Sequence, residues 1–184
     1  MRCGQTGCGA TGRIAAICVS ERRGEHKLPV EEAELVEDYG LRGDAHAERG
    51  STRQVSLLEW EAANAFFRDS RLAYRPGIFA ENIVVSGLAL RRLSPGDRLR
   101  LGEQAIVEIT QRGKQCHSHC RIFEELGRCL MPEQGLFARV ITGGSLKVGD
   151  KVVPEKRPPV SAEGISHDAK PNKKVSTGSD TETT

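Results

Sequence analysis

Apolar residues recur along the chain in short runs separated by turn residues. Ile14-Ala15-Ala16-Ile17-Cys18-Val19-Ser20 reads as a buried strand, closed by the polar turn Glu21-Arg22-Arg23-Gly24. Between Pro29 and Gly50, the run Val30-Glu31-Glu32-Ala33-Glu34-Leu35-Val36 carries a weak helical signal, and Gly40 to His46 is a turn-rich loop or short strand. Arg53-Gln54-Val55-Ser56-Leu57-Leu58 is strand-like. The following Glu59 to Phe67 has the composition of a short amphipathic helix, with Trp60 and Phe67 as its core anchors. From Pro76 onward the chain reads as strands at Ile78 to Val85, Asp97 to Leu101, Ala105 to Thr110 and Leu136 to Ile141, the rhythm of a small barrel or sandwich. Two phrases, Leu93-Ser94-Pro95-Gly96-Asp97-Arg98-Leu99 and Leu146-Lys147-Val148-Gly149-Asp150-Lys151-Val152, share a Gly-Asp turn and are expected to open equivalent strands.

The 184 residues hold one domain with a real core plus some tail. Twenty glycines and 4% aromatics favour many tight turns and a Val, Ile and Leu core, hence a mostly β fold with a minor α part. The expected organisation is a flexible leader at 1–11, a single barrel-like domain with short helices at 12–154, and a disordered tail at 155–184, where apolar residues become scarce. The 27 basic and 25 acidic residues leave a formal net charge of +2, too weak a field to suggest nucleic acid as a partner. No run approaches the roughly 18 apolar residues of a membrane span, and Met1 to Thr6 lacks the apolar centre of a signal peptide. The expected location is the cytoplasm, away from membranes. In a reducing compartment the six cysteines read as thiols, ligands or sulfur carriers rather than a disulfide framework, with Cys18 a small core residue.

The densest chemistry is Cys116-His117-Ser118-His119-Cys120, four soft-metal or sulfur ligands in five residues. In a strand both thiols share a face, and in a helix they meet at i, i+4. Zinc is one reading, although a second ligand pair is missing unless Cys129 and His46 fold nearby. Packed cysteines beside solvent-facing histidines are another. A reactive thiol is the third: Arg112, Lys114, His117, His119 and Arg121 supply cations that would stabilise a thiolate or a persulfide anion. Three further islands point to an anion site. Gly43-Asp44-Ala45-His46 and Arg53-Gln54-Val55-Ser56 offer a carboxylate, an imidazole, a guanidinium and a hydroxyl. Glu81 and Asn82 sit in an otherwise apolar stretch, where unpaired polar groups would cost stability. The alternative for Arg53 is an internal ion pair with Asp44 or Glu81 that fixes a loop. Asp97 and Asp150 read as turn residues.

Taken in order, Gly43 to His46, Arg53 to Leu58, Gly77 to Asn82, Leu93 to Asp97 and Gln111 to Cys120 resemble the MOSC family, named for the molybdenum cofactor sulfurase C-terminal domain, over residues 12 to 153. The part from Cys116 to Arg139 looks like small stand-alone bacterial members. The resemblance implies a strand-rich, barrel-like domain that binds the molybdenum cofactor (molybdopterin) or handles sulfur destined for it. One cysteine would be the persulfide carrier or the molybdenum ligand. Cys116 falls where many members place their cysteine; members with two cysteines three apart use the second, which favours Cys120, and here the spacing is four. The implied cofactor-binding residues are His46, Arg53, Ser56, Glu81, Asn82, Arg112 and Lys114. The pyridoxal-phosphate desulfurase domain of the sulfurases is absent, so no intrinsic pyridoxal phosphate site is expected. Sulfur would then come from a cysteine desulfurase or another donor, and the other partners would be cofactor biosynthesis proteins or molybdoenzymes. The extra N-terminal β-barrel part of amidoxime-reducing relatives is also absent, so activity is expected only with partner proteins. A non-catalytic cofactor-delivery module and a zinc-stabilised structural domain are the rival expectations.

Overall fold

Side chains that alternate between two apolar environments shape this chain. A computed structural model describes residues 11–68, 73–114 and 121–155. The strands are β1 (Gly12–Val19), β2 (Leu28–Val30), β3 (Glu32–Val36), β4 (Gly40–Leu41), β5 (Val55–Glu59), β6 (Ile83–Ser86), β7 (Arg98–Leu101), β8 (Ala105–Arg112), β9 (Leu136–Thr142), β10 (Gly144–Lys147) and β11 (Lys151–Glu155). Three short helices accompany them, α1 (Trp60–Phe67), α2 (Arg121–Leu126) and α3 (Met131–Gln134). The strands run in the order β11-β7-β8-β9-β5-β6-β1, and β1 pairs back onto β11, which closes a seven-stranded barrel. Strand β2 adds to β1 outside the ring, and β10-β3-β4 form a separate small sheet.

Every second residue of the central strands enters the lumen. Ile17, Leu57, Ile83, Val85, Leu99, Leu101, Val107, Ile109, Leu136 and Ala138 belong to one buried cluster, which Leu35, Leu41 and Leu146 of the small sheet join. The intervening residues Cys18, Leu58, Val84 and Phe137 face the other way, into a second cluster with Ala63, Phe67, Tyr74, Phe79, Leu130 and Met131. Strand β5 is therefore buried along its whole length, with the barrel on one face and the helices on the other. Strands β5 and β6 are parallel, and helix α1 supplies the crossover that parallel pairing requires. Its anchor Phe67 is buried, while Trp60 is partly buried and meets Tyr74 edge-on at 5.5 Å.

Two expectations about elements need correcting. The weak helix at Val30 to Val36 is instead the end of β2 followed by β3, in which Glu32 and Glu34 are exposed while Leu35 is buried and pairs across to Gly144. Tertiary pairing of that two-residue alternation overrides the local glutamate-rich preference. The strand expected from Ile78 to Val85 begins only at Ile83, because Gly77 (φ 89°) and Ala80 (φ 60°) take left-handed conformations that end any pleat. The two Gly-Asp phrases form matching turns: the Asp97 carboxylate accepts from Ser94 N–H and that of Asp150 from Lys147 N–H, both at 2.8 Å. They lead into β7 and β11, which are paired neighbours in the barrel. The expected leader and tail lie outside the described residues except for Thr11 and Glu155.

Candidate functional site

On the helix-covered face of β5, Ser56 stands opposite Phe137 of β9. That pair forms part of the floor of a cavity of about 240 Å³, with Asn82, Phe79, Ala80 and Met131. Its rim carries Arg23, His46, Glu48, Ser51, Arg53 and Lys114. The pocket therefore joins an apolar floor to a cation-rich rim, the composition suited to a flat organic group carrying an anion.

The floor is fixed by a hydrogen-bonded knot that joins β1 and β5 through Asn82, the residue before β6. Asn82 Oδ1 accepts from Ser56 N (3.1 Å) and Ser56 Oγ (2.9 Å), Asn82 N–H donates to Ser56 Oγ (3.0 Å), and Asn82 Nδ2 donates to Cys18 O (3.1 Å). Cys18 N–H in turn donates to Asn82 O at 2.7 Å. Ser56 and Asn82 thus spend most of their polar capacity on each other, and their first role is to hold the floor in shape. Cys18 is fully buried, and burial, reinforced by the Glu81 carboxylate, pushes its thiol up to about 12, which leaves it inert.

Behind the floor, the loop from Arg75 to Ala80 is wound around Glu81. The Glu81 carboxylate accepts from Tyr74 Oη–H (2.5 Å), Gly77 N–H (2.6 Å) and Phe79 N–H (3.0 Å) with no exposed surface. It does not reach the pocket. The sequence places Glu81 among the cofactor contacts, and the structure instead makes it the hub that shapes one wall. Burial raises the Glu81 carboxyl above its ordinary value, against the pull of these donors, and burial beside Glu81 likewise raises Tyr74. Gly77 packs so tightly that an added Cβ would sit 2.0 Å from Lys27 O. Gly77→Ala should therefore destabilise the protein by about 3 kcal/mol, the sum of a left-handed alanine and a backbone clash. Chemical denaturation would read this, and a loss under about 1 kcal/mol would contradict it.

The second wall comes from residues 44 to 46. Asp44 is buried and accepts from Ser20 N–H (3.0 Å), His46 N–H (3.1 Å) and the Lys27 ammonium. Burial alone would raise its carboxyl, but the contacts with His46, Lys27 and Ser20 outweigh that and hold it well below the usual range. Lys27 is itself buried, which lowers its ammonium in spite of the Asp44 partner. The alternative of an ion pair between Arg53 and Asp44 or Glu81 does not form: Asp44 pairs with Lys27, and Glu81 bonds to Tyr74. Among the described residues, the Arg53 guanidinium pairs with no carboxylate and lies 6.0 Å from the centre of the Phe137 ring. Lys114 also has no ion pair among them, whereas Arg23 is engaged with Ala45 O (3.0 Å) and Glu48 (2.9 Å).

Of the expected contacts, the structure brings His46, Arg53, Ser56, Asn82 and Lys114 to one pocket. Arg112 is directed elsewhere and donates to the carbonyls of Arg91 and Leu93, fixing the turn that leads to β7. Cys116 and Cys120 lie outside the described residues. Cys129 lines a separate cavity beside α1, with Phe66 and Arg128, so it does not join His46 as a zinc ligand pair. No cluster of three or more His, Cys, Asp or Glu suited to a metal occurs among the described residues. Phe137 and Met131 line the pocket and Lys27 stands behind His46, and the sequence left all three unmarked. A single lysine before a short edge strand has no periodic or compositional signature, and the partner that explains it is 17 positions away.

The family model of the MOSC domain matches residues 44–153. Among solved structures, the YuaD protein of Bacillus subtilis superposes with a TM-score of 0.63 at 17% identity, covering 77% of this chain and 94% of that one. YiiM from Escherichia coli gives 0.58 at 20% identity, covering 79% and 71%. YiiM from Geobacillus stearothermophilus gives 0.59 at 18%, covering 79% and 76%. At these identities the likeness shows a common fold. No curated protein matches the sequence significantly. Among the described residues no helix is long and apolar enough to cross a membrane.

Proposed function

The chain belongs to the MOSC domain family, and on that premise we propose that it is a molybdenum cofactor-binding sulfur carrier whose pocket holds the anionic pterin-phosphate group. The observation that carries this reading is the convergence of His46, Arg53 and Lys114 on one pocket floored by Phe79, Met131 and Phe137. The donor set fits the cofactor: Arg53 and Lys114 suit its phosphate, and the aromatic floor suits its flat ring system. Lys114 of that rim stands two residues before Cys116 in the sequence. When bound, the cofactor would supply the molybdenum centre that accepts sulfur or takes a thiolate ligand. The protein's own step is uptake. A thiolate at Cys116 or Cys120 attacks the outer sulfur of a donor persulfide, the donor S–S bond breaks, and the donor leaves as its thiolate while the new persulfide forms here. The cations around the segment favour both the attacking thiolate and the persulfide anion. A cysteine desulfurase or a similar donor would act upstream, and a cofactor biosynthesis protein or a molybdoenzyme would receive the product.

Anaerobic native mass spectrometry of protein from a host with an intact cofactor pathway, followed by peptide mapping, tests this. A pterin-sized adduct or one extra sulfur is expected, and Cys116→Ser or Cys120→Ser, whichever removes the carrier, should abolish the sulfur while the other retains it. Arg53→Glu should weaken cofactor binding by about 10- to 100-fold. A protein that stays bare and keeps its function without both thiols would be a delivery module, and one equivalent of zinc with unfolding by a chelator would mark a structural metal domain. Either result overturns the carrier reading.

A further inference from the structure

His46 reaches the pocket with its ring 38% exposed, while its Nδ1 is turned inward to the Lys27 ammonium at 3.2 Å. We propose that Lys27 is a positioning residue that fixes His46 as the neutral tautomer with its proton on Nε2, so that the pocket is offered a hydrogen-bond donor there. An ammonium has three donors and no acceptor, so the contact forms only if Nδ1 carries a lone pair. The competing partner is Asp44 Oδ2, which would demand a proton on Nδ1. It lies 3.7 Å away, beyond hydrogen-bond reach, and already accepts the His46 backbone N–H at 3.1 Å. Asp44 therefore acts on His46 through Lys27: its other oxygen binds the ammonium and keeps the cation in place.

The position of Lys27 is over-determined. Its side chain is 1% exposed, its backbone N–H donates to Gly77 O at 2.9 Å, and the preceding His26 holds Ile78 O through Nδ1 at 2.7 Å. The ammonium cannot swing away from Nδ1 without breaking the Asp44 pair inside the protein. With Nδ1 committed, neutral His46 can neither ligate a metal nor take up a proton at Nε2, which carries the hydrogen. What it recognises is an acceptor oxygen, as on a phosphate or a ring carbonyl. This deepens the cofactor-pocket reading and rests on it for the ligand, although the tautomer itself does not.

The test is the ¹⁵N spectrum of the histidine side chains in ligand-free protein at a pH where His46 is neutral, with its signals identified by their loss in His46→Asn. An unprotonated Nδ1 and a protonated Nε2 are expected, and a proton on Nδ1 would overturn the proposal without any further variant. In Lys27→Met the tautomer should reverse, with Nδ1–H turned to Asp44. Inorganic phosphate, followed by chemical-shift titration, should bind about tenfold more weakly than to the unaltered protein. If Lys27→Met does not fold, the double variant Lys27→Met with Asp44→Asn removes both buried charges together and should no longer hold His46 in the Nε2–H form alone; an unchanged Nε2–H spectrum there would refute the role given to Lys27. The expected tautomer without phosphate binding would uphold the positioning role and remove the anion-pocket reading.

Discussion

Asp44→Ala is expected to lower the unfolding free energy by about 3–5 kcal/mol, because it strands the Lys27 ammonium in the interior with its carboxylate partner gone. The loss exceeds that of an ordinary surface ion pair for a geometric reason. Asp44 and Lys27 side chains are 0% and 1% exposed, so water cannot replace the missing partner. Removing both charges in Asp44→Ala with Lys27→Met should recover a large part of the loss, and a double variant no better than the single one would refute the pairing argument. The pH dependence follows from the same pair. The folded Asp44 carboxyl lies below its ordinary value of 3.8, so the folded state holds fewer protons than the unfolded one around that pH. Its stabilisation is present above about pH 4 and is lost as the pH falls below it. Urea midpoints from pH 6 down to pH 3 should drop in the unaltered protein and drop less in Asp44→Ala.

The other large effect is expected at Glu81. Glu81→Ala would leave Tyr74 Oη–H and the N–H groups of Gly77 and Phe79 unpaired in a fully buried site, at a cost of at least about 3 kcal/mol for the three donors together. Glu81→Gln keeps the shape and one acceptor oxygen but sets an amide N–H₂ against one donor, so about 1–3 kcal/mol is expected. The order Ala worse than Gln is the discriminating result. Equal losses would mean that volume, not hydrogen bonding, holds the loop. The sign of the pH effect is opposite to that at Asp44. Burial raises the folded Glu81 carboxyl above 4.5, so its contribution is most favourable below that pH and declines as the pH rises through the raised value. The two carboxylates can therefore be separated by the shape of the acid limb. Because the loop that Glu81 supports forms one wall of the pocket, Glu81→Ala should also disturb phosphate binding without removing any group that touches the ligand.

The two Gly-Asp phrases, the strand with Val55 to Leu58 and the helix ending at Phe67 were legible in the sequence because each depends on neighbours a few positions apart. Period-two alternation and turn chemistry are local, and they were enough to indicate a mostly β barrel. His46, Arg53, Ser56, Asn82 and Lys114, which line one pocket, stood in the sequence in one set with Glu81 and Arg112, which do not line it. Their division of labour was not. Whether a glutamate in an apolar stretch faces a pocket or turns back into its own loop depends on two positive φ angles at Gly77 and Ala80, and sequence periodicity carries no sign of φ. Whether Asp44 meets Arg53 or Lys27 depends on where β1, β2 and the loop after β4 come together, which the packing of the added strand and the small sheet against the barrel fixes. The sequence by itself determined the apolar alternation, the turns and the types of chemistry present. Only the tertiary structure decided which polar groups face the pocket and which neutralise each other behind it, since burial and charge pairing are properties of long-range contacts rather than of residue order.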